Sequence, residues 1–118
     1  MSIEKPGGVM EIEVITRMYD FLLWLLPHVE KFPRSHKFTM GDRIENAGLD
    51  VLDLLLDAKY RSLKVDVLRR ANLKLEQLRF LLRLSKDLRM LNVKSYLHGC
   101  RLLNEVGKQV GGWIKSAK

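Results

Sequence analysis

Apolar residues recur along this chain at three- and four-residue steps, in four blocks divided by short polar links, and that period predicts helices. The first block runs from Met10 to about Lys31 on a seam of Ile12, Ile15, Tyr19, Leu22, Leu26 and Val29, widened by Phe21, Leu23 and Leu25. Pro27 removes one backbone donor and should kink or tighten its last turn. Phe32 to Lys37 reads as a connector, because Pro33 biases Phe32 away from helical geometry. Thr39, with Asp42 three residues on, resembles a capping box and opens the second block, which reaches about Tyr60. Its seam is Ile44, Ala47, Val51, Leu55 and Ala58; Leu49, Leu52, Leu56 and Tyr60 extend the apolar arc, leaving a narrow strip of Asn46, Asp50, Asp53 and Asp57.

Arg61 and Ser62 form the tightest link, with Ser62 a suitable N-cap for the third block. Asn92 caps the fourth, which runs from Val93 to about Ile114 on a seam of Tyr96, Cys100, Leu103, Val110 and Ile114. Gly99, Gly107 and Gly111 fall near that seam. Each costs about 1 kcal/mol of helix propensity relative to Ala. That cost suggests close backbone approach, although fraying accounts equally well for Gly111. Residues 1–9, with Pro6, Gly7 and Gly8, read as a flexible lead-in. The expectation is an all-α, up-down four-helix bundle filling residues 10–118 as one domain.

The third block differs from the others. Leu68, Ala71, Leu75, Leu78 and Leu82 make one seam, while Leu73, Phe80, Leu84, Leu88 and Leu91 lie roughly opposite. An edge helix of a small monomer needs a single apolar stripe, so this one is either central or covered by another chain. Between its stripes run Arg69, Asn72, Glu76, Arg79 and Arg83, continuing toward Lys86, with Arg70 and Lys74 on the other flank. The fourth block has a basic face of its own, from Lys94, His98, Arg101, Lys108 and Lys115. On the first block, Trp24 lies among Glu13, Arg17, Asp20 and Lys31. It reads either as a partly exposed ring covered by long neighbours or as an interface anchor.

Charge sharpens this picture. The net charge is +7, but residues 1–58 carry six Lys or Arg against ten Asp or Glu, whereas residues 59–118 carry fifteen against four. The basic character belongs to the second half, and a field of that sign attracts nucleic acid, acidic membrane or an acidic protein. Arginine dominates the third block, and its planar guanidinium suits phosphate better than lysine does. A solvated charged face is the plain alternative. The excess apolar arcs favour self-association, which would concentrate positive charge that something anionic must meet.

Other chemistry is thin. A single cysteine fits a reducing compartment, the N-terminus has acids where a secretory leader needs a basic region, and the longest apolar run, Phe21 to Leu26, stops at Pro27. A soluble, cytoplasmic chain is expected. His28, His36 and His98 lie on different elements and lack metal-site spacing, so no metal or cofactor is expected. Cys100 reads as an inert, small seam residue, and the Asp50, Asp53 and Asp57 strip as solvated or paired with cations. No glycine cluster has the form of a phosphate loop.

Three stretches carry a resemblance: YDFLLWLLPHVEKFPRSHKFTMGDRI from Tyr19 to Ile44, LRRANLKLEQLRFLLRL from Leu68 to Leu84, and GGW from Gly111 to Trp113. Together they resemble the accessory variability determinant (Avd) family, whose members accompany the reverse transcriptase of diversity-generating retroelements. A more distant similarity is to the four-helix bundle proteins of ribosomal RNA intervening sequences, which share the Phe-Pro connector. The Avd resemblance implies a four-helix bundle assembled as a homopentameric barrel, without enzymatic activity of its own, that binds nucleic acid and the reverse transcriptase. In that family the partnership supports mutagenic copying of a template RNA into cDNA. Motif position carries over Arg69, Arg70, Arg79 and Arg83 as members of the family's basic third helix. Helical periodicity adds Lys86, Lys94, Arg101 and Lys108. The competing expectation is a basic helical scaffold or ribosomal-RNA-associated bundle with no reverse transcriptase; a membrane-surface role ranks below both.

Overall fold

The computed structural model describes residues 6–118, with side chains from Met10 onward. Four long helices carry the fold: α1 (Pro6–Glu30), α2 (Asp42–Tyr60), α3 (Val65–Asp87) and α4 (Val93–Ala117). Each packs on the next and α4 packs back on α1, giving an up-down bundle with extents of 54 × 23 × 19 Å. The first helix starts at Pro6, a residue suited to a first turn. Residues 6–9 of the expected lead-in are therefore helical, and the remainder of it lies outside the described residues.

The core seams of α2 and α3 fall where the periodicity put them. Ile44, Ala47, Val51, Leu55 and Ala58 face Leu68, Ala71, Leu75, Leu78 and Leu82, all buried. Burying one such leucine is worth about 1.5–3 kcal/mol, so these two rows are the backbone of the fold's stability. The seams of α1 and α4 are met in part: the expected Leu22, Val29, Leu103 and Val110 are buried, while the rest of each seam is turned by about one residue. On α1, Val14, Met18, Phe21, Leu25 and Val29 are buried, while Ile12 and Tyr19 are exposed. On α4, Gly99, Leu103, Val106, Val110 and Trp113 are buried, while Tyr96 and Cys100 are only half covered.

The links are built differently from the sequence expectation. Pro33 starts a helical path instead of a connector: its carbonyl accepts from the His36 and Lys37 N–H groups, both at 2.9 Å. One turn at Arg34–His36 and a π-helical turn at Lys37–Gly41 then lead straight into α2. Thr39 is inside the π turn and caps nothing; its hydroxyl donates to the His36 carbonyl at 3.3 Å. The wider turn is followed by a close approach, since a Cβ on Gly41 would lie 3.1 Å from Val29 Cγ1. Pro27 does not break α1, whose end tightens through i to i−3 bonds from Lys31 to His28 and from Phe32 to Val29.

Ser62 is not the cap of α3. Lys64 occupies that position, and its ammonium instead closes the end of α2 by donating to the carbonyls of Ala58 at 2.6 Å, Lys59 at 3.3 Å and Arg61 at 2.7 Å. Asn92 does cap α4, accepting from the Ser95 N–H at 2.7 Å. Between α3 and α4 the chain reverses through Arg89, at φ 65°, with Met90 N–H bonded to the Ser85 carbonyl at 2.8 Å. That reversal carries Leu91 into the core, off the outer stripe of α3 where the period alone had put it.

Candidate nucleic-acid interface

The outer face of α3 is the part of the bundle that packing leaves open. Leu73 is 60% exposed, Phe80 67%, and Leu84 and Leu88 are also exposed, so the second apolar stripe of this helix has no cover within the subunit. The basic residues do not form one band around it. They divide by the neighbour they face.

Arg70 is on the α2 side, where it lines a shallow cleft with Asp50, Asp53 and Lys74. Lys74 takes Asp50 at 3.4 Å, and Asp57 is held in a two-bond fork by Arg61 at 2.9 and 3.0 Å. The acidic strip of α2 is thus paired at Asp50 and Asp57, and by other residues than the arginines assigned to binding. Arg69 is exposed on the outer face and has no ion-pair partner among the described residues.

Arg79, Arg83 and Lys86 are on the α4 side and come together in the α3–α4 groove. The Arg79 guanidinium is half-buried: Nη1 donates to Glu76 at 2.7 Å, and Nη2 crosses α4 where Gly107 has no side chain. A Cβ at Gly107 would collide with that nitrogen. Arg83 stays exposed beside it, and Glu76, Arg79, Phe80, Arg83 and Tyr96 line an open cleft of about 260 Å³. Lys86 is paired with Asp87 at 3.0 Å and sits 5.2 Å from the centre of the Tyr96 ring. The Tyr96 phenol is pushed above its ordinary pKa, first by a side-chain hydrogen bond with Cys100 and then by burial. It is neutral at physiological pH.

Lys94, Arg101 and Lys108 recur every seven residues and form a separate exposed row on the outside of α4. Arg101 Nη2 is 3.4 Å from His98 Nδ1. Trp24, by contrast, is used inside the subunit. Its indole is stacked on His28 at 4.5 Å, lies 5.7 Å from Phe21, and fills the space that a side chain at Gly99 would take. The sequence expectation had left Tyr96 and Phe80 out of the site. The signal that links them to the arginines is that Tyr96 and Gly107 share one side of α4, the side facing α3.

Among the described residues, no group of three or more His, Cys, Asp or Glu side chains is placed to hold a metal ion, and no helix is long and apolar enough to cross a membrane. No curated protein sequence matches the chain. A family model described as bAvd-like matches residues 13–117, which spans all four helices, and the chain therefore belongs to the bAvd-like family of retroelement accessory proteins.

Proposed function

We propose that this protein is the non-catalytic accessory subunit of a diversity-generating retroelement, binding both the reverse transcriptase and nucleic acid, template RNA or cDNA, to support mutagenic reverse transcription. The observation that carries the reading is the match to the bAvd-like family over residues 13–117. The exposed arginines of α3 support it, since Arg69 and Arg83 have no ion pair among the described residues. The working form is a homopentamer. Its support on this chain is the exposed apolar surface of Tyr19, Leu23, Leu49 and Leu56 along α1 and α2, in the acidic half, which nothing in the subunit covers.

Co-purification with the reverse transcriptase encoded beside it, together with light scattering on the free protein, tests both parts. A particle of about five times 13.7 kDa that retains the polymerase is expected. A 13.7 kDa monomer that does not bind it would return the chain to the scaffold reading. Reversing Arg79 and Arg83 to Glu is expected to leave helical content and assembly unchanged while weakening nucleic-acid binding. Affinity for a single strand is expected to fall by about 0.7 log units per contacted phosphate for each log unit of salt, and a salt-independent affinity would contradict phosphate contacts.

A further inference from the structure

The α3–α4 groove combines two features that phosphate binding alone does not need. It has two aromatic side chains, Phe80 and Tyr96, lining an open cleft of about 260 Å³ beside Arg79 and Arg83. Pockets for whole small molecules begin at about 300 Å³, so this one suits a fragment of a larger ligand. We infer that the groove holds one unpaired nucleobase against Phe80 and Tyr96 with its phosphate on Arg83, so that single-stranded nucleic acid is the ligand of this face. The inference rests on the nucleic-acid reading above and specifies its ligand.

The charges in the groove assign the two ends of that nucleotide. Glu76 holds the Arg79 guanidinium at 2.7 Å and offsets its charge, so a phosphate is drawn past Arg79 to Arg83, which has no ion pair among the described residues. Arg79 then lines one side of the groove, its tip steadied by Glu76 and occupying the space that Gly107 leaves. Tyr96 offers a half-buried ring to the groove, with the Lys86 ammonium 5.2 Å from its centre. Bases inside a duplex are stacked on each other and cannot enter such a cleft, whereas single strands splay theirs onto aromatic side chains. An acidic protein segment would satisfy Arg83 but brings no flat ring for Phe80 and Tyr96.

The test is fluorescence anisotropy on the assembled, full-length protein with three labelled probes: a single-stranded RNA, an abasic strand of equal length and charge, and the matching duplex. The base-bearing strand is expected to bind at least about fivefold tighter than the abasic one, the low end for stacking of a single base. Phe80→Leu and Tyr96→Leu should erase that preference while leaving abasic affinity unchanged. Tyr96→Phe should keep it, and Arg83→Gln should weaken both strands. Circular dichroism and light scattering confirm that each variant is folded and assembled, and the surface position of Phe80 keeps the test available if Tyr96→Leu is not. Equal affinity for the base-bearing and abasic strands, loss of the preference in Tyr96→Phe, or equal competition by polyglutamate would overturn the inference and leave the broader nucleic-acid reading standing. Failure of every probe to bind at low salt would remove both.

Discussion

Gly99 and Gly107 lie about two turns apart on α4, and each leaves room for a large side chain from a neighbouring helix. At Gly99 the visitor is Trp24 from α1, a rigid ring wedged between Phe21 and His28. At Gly107 it is Arg79 from α3, a flexible chain whose charged tip is steadied by Glu76. The same omission of a Cβ therefore serves packing on one side of α4 and charge placement on the other. Both glycines cost helix propensity, so the two seams should respond to the same substitution with opposite signs.

The largest effect is expected on the packing side. Trp24→Ala should lower stability by about 3 kcal/mol, the low end for removing a core tryptophan because this one is only half-buried. Gly99→Ala should also destabilise. Its Cβ meets a ring that cannot step aside, at an overpacking cost of about 1–3 kcal/mol, against about 1 kcal/mol gained in helix propensity. Denaturant midpoints measure both. In the double variant the alanine at position 99 should become stabilising, since the collision has gone with the ring. If Gly99→Ala is stabilising on its own, the wedge is not rigid and the contrast with Gly107 fails.

Gly107→Ala should go the other way. The clash there is with the far end of a flexible side chain, so Arg79 swings away and the helix keeps up to about 1 kcal/mol of propensity. Stability is expected to be unchanged or raised, while nucleic-acid affinity falls severalfold because the groove has lost its wall. A loss of stability without a loss of affinity would make Arg79 a structural residue.

What the sequence made legible follows the same division. The seams of α2 and α3 were readable because polar residues interrupt their apolar rows at a clear period. That of α1 was not, because Phe21 to Leu26 is apolar in every direction and a wheel offers several equal seams. Gly48, where a Cβ would lie 3.0 Å from Leu22 and Leu25, and Gly99 under Trp24 choose among them, and glycine carries no hydropathy to announce it. The basic residues were readable as a set but not in their grouping. A helical period gives angles around one helix and does not say which helix lies alongside, so Arg79 and Arg83 could be separated from Arg70 and Lys74 on the other flank, but not assigned to the α4 and α2 sides. Trp24 looked exposed for the same reason: its companions Glu13, Arg17 and Asp20 are polar, but the helix on that side brings a glycine to meet it.

The smallest effect sharpens the groove side of the contrast. The Tyr96 phenol is raised above the ordinary value of about 10 by its hydrogen bond with Cys100 and by burial, with the Cys100 and Asp87 charges adding to the rise and Arg83 opposing it. Because the folded-state pKa is the higher one, the unfolded chain gives up this proton more readily. The stability this provides is complete below pH 10 and is lost as pH climbs through the folded value. Tyr96→Phe removes the ionisation and leaves the ring. The difference in denaturant midpoint between the wild-type protein and this variant should therefore stay constant from about pH 7 to 9, and shift in favour of phenylalanine above about pH 10. Other groups that titrate in alkali and do not interact with Tyr96 are common to both proteins and drop out of the difference. A difference that already moves between pH 7 and 9 would mean the Tyr96 and Cys100 pair ionises within the working range, placing a negative charge beside Arg83 where a phosphate is meant to sit.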